Sequence, residues 1–244
     1  VEPLLHLDRS TKVAPLLHLC DRKTVTSTNP AARPLRTDAA RNRTAIVAAA
    51  QRAFAEGGLQ VPFDEIARRA GVGEATVHRR FPDRASLIAA AFGVKMSIYA
   101  EAAAEALAEA DPWEGFCAYV RRVCELQSGD RGFADLLTVT FAAANPAVEE
   151  LEGRRASGYR DWLAIVHRAK ASGRLRHDFH QDDLVVLLMA NAGVIAATAG
   201  TAPDAWRRHV EYLLQAFAAT NTDPLPPPPG RDAMLQALHR TQRP

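Results

Sequence analysis

Two short stretches of helix-forming sequence meet at Ala70-Gly71-Val72-Gly73, and that junction constrains the fold more than any other feature of the 244 residues. The first starts at or just after Pro62 and turns Phe63, Ile66 and Ala67 inward. The second, barely two turns long, runs from Glu74 to Phe81 and ends at Pro82-Asp83. A short helix, a glycine turn and a second short helix make a helix-turn-helix arrangement. Ala70 is small where two helices cross, and Ala67 keeps the crossing tight. Gly71 suits a turn position that needs a positive φ. Val72 and Val77 plug the gap between the helices. Glu74, Ala75, Thr76, His78, Arg79 and Arg80 are left on the outside of the second helix. Those residue types meet base edges and phosphates: arginine forks onto guanine O6 and N7, and the threonine methyl meets the thymine methyl.

Helical patterning surrounds this junction on both sides. A first helix is expected from about Asp38 to Glu56, with Ile46, Ala50 and Phe54 on one face and Gly57-Gly58 as its stop. Asp83 caps a long fourth helix from Arg84 to about Ala110. About 185 residues between the chain ends are alanine-rich with few β-branched alternations, so the fold class is all-α. A content of 48% hydrophobic and 24% charged residues is ordinary for a globular chain and excludes wholesale disorder or a collagen-like repeat. The net charge of +2 hides an asymmetry. Through residue 84 there are 14 basic and 9 acidic residues, and from 85 onward 16 and 19. A basic first part joined to a mildly acidic second part fits a DNA reader attached to a sensor.

The run from Asp64 to Ile88 resembles the DNA-binding domain of TetR-family transcriptional regulators, in Ile66-Ala67, Ala70-Gly71-Val72, the aromatic Phe81 and the basic Arg84 at their spacings. The resemblance covers about 37–92. It implies a one-component repressor: an N-terminal three-helix reader, a connecting fourth helix, and an all-helical bundle for ligand binding and dimerisation. From Asp111-Pro112-Trp113-Glu114 to Phe217 the chain more loosely resembles the actinobacterial-type branch of that family. The implied DNA contacts are Arg41, Arg43 and Thr44 at the start of the first helix, Gly73, Glu74, Ala75, Thr76, His78, Arg79 and Arg80 around the reading helix, and Arg84 on a phosphate. Three positions depart from the family pattern. Pro62 replaces the usual Ser or Thr and supplies no hydroxyl; Gly73 stands where Ser is frequent; His78 stands where Tyr is frequent. Gly73 can still cap, and His78 can still reach a phosphate; Pro62 and His78 leave as the alternative a helical ligand-binding or interaction protein whose head no longer reads DNA.

Caps divide the second half. Asp111-Pro112 with Glu114 at the third helical position is a capping-box arrangement that opens a helix to about Gln127. Further helices are expected over 131–144, from Asn145-Pro146 to about Ser172, from Asp182 or Asp183 through Ala199, and from Pro203 through Ala219. A pocket for an apolar or amphipathic effector is expected among Phe116, Phe133, Leu137, Phe141, Trp162 and Val166. The last two helices are apolar around more than one face, which requires burial on both sides. Leu184, Leu187, Leu188, Asn191, Ile195, Trp206, Val210, Leu213, Leu214 and Phe217 are therefore the expected interface of a homodimer. Two reading helices about 34–36 Å apart would call for a palindromic operator.

The expected division is 1–36 as a disordered leader, 37–84 as reader, 85–220 as regulatory and dimerisation domain, and 221–244 as a proline-rich tail. The leader repeats Pro-Leu-Leu-His-Leu at 3–7 and 15–19, and the opening Val1 leaves a later translation start as an alternative. Enzyme chemistry has no motif: there is no glycine-rich phosphate loop, Gly-x-Ser-x-Gly elbow or His-Glu-x-x-His. Cys117 and Cys124 are seven apart on a helix, about 10.5 Å by its rise, which exceeds disulfide reach, so they read as small core residues. His177 and His180 beside Asp182 and Asp183 read as a surface loop that caps a helix rather than as a metal site. No cofactor is expected. No uncharged apolar run approaches the roughly 20 residues of a membrane helix, Leu184–Ala199 coming nearest, and a cytoplasmic location is expected.

Overall fold

The structure is a computed structural model that describes residues 32–137 and 145–228, with side chains from Asp38 onward. Nine helices are present among the described residues: α1 (Ala32–Gly57), α2 (Phe63–Ala70), α3 (Glu74–Arg80), α4 (Arg84–Ala108), α5 (Pro112–Gln127), α6 (Arg131–Leu136), α7 (Pro146–Ala171), α8 (Asp183–Thr198) and α9 (Ala205–Phe217). One isolated bridge pairs Leu175 with Ala218. The leader repeat, Cys20, Phe141 and the segment after Pro228 lie outside the described residues.

Local signals set most boundaries. Gly71 adopts φ +68° and closes α2, its N–H reaching the Ala67 and Arg68 carbonyls. Asp83 accepts from Ser86 N and opens α4. Asp111 accepts from Trp113 N and Glu114 N, and Asn145 from Ala147 N and Val148 N. Each satisfies backbone donors that a helix start leaves without partners. The capping box is only half made: the Asp111 N–H meets Glu109 Oε1 at 3.5 Å, and Glu114 instead faces Arg174.

Helix α1 begins at Ala32, six residues before the expected start at Asp38.

A contiguous apolar core runs through the described helices. Ile46 and Phe54 of α1, Ile66 of α2, Val77 of α3 and Leu87 and Phe92 of α4 are buried together at the head. Phe54 stacks on Phe92 at 5.9 Å, and Phe92 meets Phe133 of α6 at 6.4 Å, so this core continues into the second half. Helix α4 packs against α1, α5 and α7. By length and composition α4 could cross a membrane, although half of that span is buried in the molecule. That differs from the expectation, which took Leu184–Ala199 as the nearest approach, and it follows from α4 packing on three sides. Glycines allow the close crossings. A Cβ on Gly115 would overlap the Ala106 carbonyl oxygen, and one on Gly158 would overlap the Tyr99 ring.

Candidate nucleic-acid interface

Helix α3 is fixed by its neighbours and shows a free outer face. Val77 is fully buried, and the Gly73 carbonyl accepts from Thr76 N at 2.8 Å and Val77 N at 3.4 Å. Gly73 is in extended conformation, so it opens the helix through its backbone, without a side-chain cap. Pro62 precedes α2 in the same way and offers no side-chain hydrogen bond. Glu74, Ala75, His78 and Arg79 are exposed on α3, while Thr76 and Arg80 are half-buried.

The arginines divide by use. On α2, Arg68 bonds Glu65 at 2.7 and 2.8 Å, and Arg69 bonds Glu65 and Glu56, each at 2.6 Å. These guanidinium groups hold the Glu65 carboxyl below the usual carboxylate range. On α3, neither Arg79 nor Arg80 makes an ion pair among the described residues, and Arg80 Nε is buried without a hydrogen-bond partner. Of these two helices, α3 therefore carries the uncompensated charge.

The α1 residues lie beside this face with partial engagements. Arg41 is 3.6 Å from Asp38, both exposed. Arg43 lies over the Phe81 ring at 5.3 Å. The Thr44 hydroxyl donates to the Ala40 carbonyl at 3.1 Å and keeps its lone pairs as acceptors.

Arg84 differs most from its expected use. Its Nη1 donates to the Leu59 carbonyl at 2.8 Å and the Val61 carbonyl at 2.7 Å, and its guanidinium lies over Phe63 at 5.3 Å. Burial lowers its pKa from the ordinary arginine value. The α1–α2 connection leaves two carbonyls without helical partners, and Arg84 satisfies both. It braces the head as well as standing near the reading face. Sequence reasoning missed this brace and also the hooks behind it: Leu59 N donates to Asp135 Oδ2 at 3.0 Å, and Asn145 Nδ2 donates to Ser86 Oγ at 2.7 Å. Nothing local in the sequence marks either long-range partner.

Two other expectations change. Phe116, Trp162 and Val166 are buried, with Phe116 and Trp162 stacked at 5.5 Å inside an aromatic cluster that includes Trp113, Tyr119, Phe179 and Phe217. Phe133 instead packs against Phe92 at the head, and Leu137 is half-buried. Of the expected pocket residues that are described, Phe116, Trp162 and Val166 thus lie in one part of the core and Phe133 in another. Among the described residues, a surface groove of about 420 Å³ between α5 and α9 is floored by Trp206 and Val210 and flanked by Arg121 and Glu211. Of the expected interface, Leu184, Leu187, Leu188, Asn191, Trp206, Val210 and Leu214 are buried within their own chain, and Ile195, Leu213 and Phe217 are partly so. Asn191 Nδ2 donates to Gln127 Oε1 at 2.8 Å, a bond of the chain's own core. The exposed apolar positions on those two helices are Val186 and Tyr212, with Ala190, Gly193, Ala196 and Ala197 also exposed on α8.

Cys117 and Cys124 are buried free thiols whose pKa burial pushes up to about 12. No three His, Cys, Asp or Glu side chains come together as a metal site among the described residues. His180 Nδ1 accepts from Asp182 N at 3.3 Å, and the His180 backbone N–H donates to Asp183 Oδ2 at 2.7 Å.

Residues 46–91 match the family model for bacterial regulatory proteins of the tetR family. No curated protein matches the chain. The transcriptional regulator FadR of Bacillus subtilis, solved in complex with stearoyl-CoA, shares the fold at a TM-score of 0.54 and 16% identity, over 74% of this chain and 99% of that one. A TetR-family regulator of Agrobacterium tumefaciens does so at 0.53 and 18%, over 73% and 98%. A TetR regulator of Streptomyces coelicolor is 29% identical over 72% of this chain and 98% of that one, with a TM-score of 0.44. The matched segment spans α2, α3 and their supports on α1 and α4, which are the elements that present the reading face. Residues 46–91 thus resemble the DNA-binding segment of tetR-family regulatory proteins, and the chain shares its fold with the Bacillus subtilis and Agrobacterium tumefaciens regulators.

Proposed function

We propose that this chain is a ligand-responsive repressor that binds a palindromic operator as a homodimer. The observation that carries the reading is the free cationic face of α3: Arg79 and Arg80 have no acidic partner among the described residues, while Arg68 and Arg69 next to them do. Reading is assigned to 37–84, sensing and pairing to 85–220, and the proline-rich segment from 221 is assigned to neither. Operator binding gives the protein a cytoplasmic location. The actinobacterial-type branch is part of the same proposal.

Arg79 is the chosen base reader, because its fork matches guanine O6 and N7. Selection from a random duplex pool, followed by anisotropy, tests it. Arg79→Ala should cost about 1–3 kcal/mol on the selected site and relax its sequence preference. An unchanged selected sequence with Arg79→Ala would remove Arg79 from the reading role.

For pairing, the outward face of α8 and α9 is assigned to the partner copy, with Val186 45% and Tyr212 54% exposed. Val186→Glu should yield a folded monomer in analytical ultracentrifugation. A wild-type protein that sediments as a monomer at micromolar concentration argues against the homodimer.

For sensing, an apolar or amphipathic effector is assigned to the helices of the second half. Support comes from the apolar and aromatic core of those helices and from FadR, which shares the fold and was solved with stearoyl-CoA. Binding would favour a head spacing that no longer fits the operator, a shift that requires different affinity for the two states. A compound that saturates the protein and leaves operator affinity unchanged is not such an effector.

A further inference from the structure

The reading face carries an acid and a base one turn apart. Glu74 opens α3, and His78 Nε2 lies 3.6 Å from Glu74 Oε1. Both side chains are more than half exposed, at 57% and 55%. The His78 ring rests against Phe63 of α2, with centroids 4.9 Å apart, and Arg84 of α4 covers the same Phe63 ring at 5.3 Å. A carboxylate at the start of a helix meant to approach phosphates is repelled by them. A histidine beside it is the side chain whose ordinary pKa, about 6.5, brings its charge in and out near neutral pH.

We propose that Glu74 and His78 form a proton-gated pair on the DNA-reading face, so that operator affinity rises as the pH falls through the histidine range. The proposal rests on the reading that α3 meets DNA. With His78 neutral, the pair carries one negative charge toward the phosphates. With His78 protonated, it carries none.

The surrounding charges define the balance. Glu74 favours the imidazolium. Arg79, the next residue of α3, and Arg84, across Phe63, oppose it. On α2, Asp64 is turned to its own backbone, accepting from Glu65 N at 2.8 Å, and Glu65 is held by Arg68 and Arg69. Glu74 is thus the acid that answers His78. Phosphates brought in by DNA add to its side of the balance, so DNA binding and the charged form of His78 favour each other. The direction follows from this linkage: affinity is higher in acid, where the histidine is charged, and falls as the pH rises.

The test uses the full chain, a duplex selected by it from a random pool, and a random duplex of equal length. Anisotropy titrations are run at pH 5.5 and pH 8 over a series of salt concentrations. Wild type should bind more tightly at pH 5.5, by about fivefold per reading helix, the worth of one unit charge near a phosphate in water. Its salt slope should steepen by about 0.9 per reading helix, the effect of one neutralised phosphate. His78→Gln should bind with the same affinity and slope at both pH values. Glu74→Gln should bind more tightly than wild type at pH 8 and move the midpoint of the pH curve downward. Both positions are exposed, so melting temperatures serve as the control for folding. NMR titration of the histidine Cε1 protons, with His78 assigned by its loss in His78→Gln, should give a higher midpoint for the DNA complex than for free protein. Equal pH dependence in wild type and His78→Gln overturns the switch while leaving DNA binding intact. An unshifted His78 midpoint in the complex overturns it too. Failure of every protein to bind either duplex overturns the DNA-binding reading and the switch with it.

Discussion

Replacing Arg84 by alanine separates two roles that the sequence alone cannot distinguish. A residue that only touches a phosphate contributes nothing to the free protein's stability. The structure gives Arg84 a second use, with Nη1 bonded to the Leu59 carbonyl at 2.8 Å and to the Val61 carbonyl at 2.7 Å. Hydrogen bonds from a charged donor contribute about 1.5–3 kcal/mol each. Both are partly buried, so the lower end applies, roughly 3 kcal/mol for the two. The guanidinium over Phe63 adds about 0.5 kcal/mol at a half-exposed site. Water reaches the freed Val61 carbonyl and recovers part of the loss, leaving about 2–3 kcal/mol. For a chain of this size that lowers the melting temperature by about 4–12 °C. Arg84→Lys, which can reach one carbonyl at a time, should fall between. The assay is thermal unfolding followed by far-ultraviolet circular dichroism, paired with anisotropy on a random duplex across salt concentrations. Arg84→Ala should also flatten the salt slope by about one phosphate's worth. A variant that melts within about 1 °C of wild type, against the shift expected from its size, would show that the brace carries no stability. The reasoning from the two carbonyl bonds would then be wrong.

The remaining predictions concern the helix junctions and the thiols. Gly71→Ala meets open space but must hold φ +68°, so it should cost about 1 kcal/mol, seen as a small fall in melting temperature with DNA affinity reduced in step. Gly115→Ala drives a Cβ into the Ala106 carbonyl at the α4–α5 crossing and should cost about 1–3 kcal/mol in denaturant unfolding, more than Gly153→Ala, which meets nothing. In a Cys20→Ser background, Cys117 and Cys124 should stay unreactive to a chromogenic disulfide at pH 8 until the protein is unfolded, since burial holds their thiols at about 12. Rapid labelling of the folded protein would contradict that. Asp83→Ala removes the acceptor for Ser86 N at the start of α4 and should cost about 1 kcal/mol in the same denaturant titration.

Which features were legible follows from how far their causes reach along the chain. Gly71, Asp83, Asp111 and Asn145 act on backbone groups two or three residues away, and each does what its local sequence indicates. Val77 is inward on α3 for the same reason, because a helix of seven residues has few ways to face a partner. Arg84 was legible as a basic residue beside the reader, yet its acceptors lie 23 and 25 residues earlier in a connection without periodicity. The neutralisation of Arg69 by Glu56 spans 13 residues and crosses two helices. A charge count over the first 84 residues cannot detect it. It gives the right sign for the head without saying which arginines remain free.

Helix α8 shows why the proposed partner face was the least legible part. Leu184, Leu187, Leu188 and Asn191 recur at helical spacing, and so do Val186, Ala190, Gly193 and Ala197 on another side. A pattern that is apolar on both sides says that both are covered, without saying which one the chain covers itself. Large side chains resolve the question in hindsight. Leu187 and Leu188 fill space against α5 and α6, where close-packing rewards volume. The other side is mostly alanine and glycine, which permits a second helix to approach closely. The expected interface was chosen by size and hydrophobicity, which selects for core. Residues facing a partner must also be tolerable in water before the partner arrives, and that favours the smaller set.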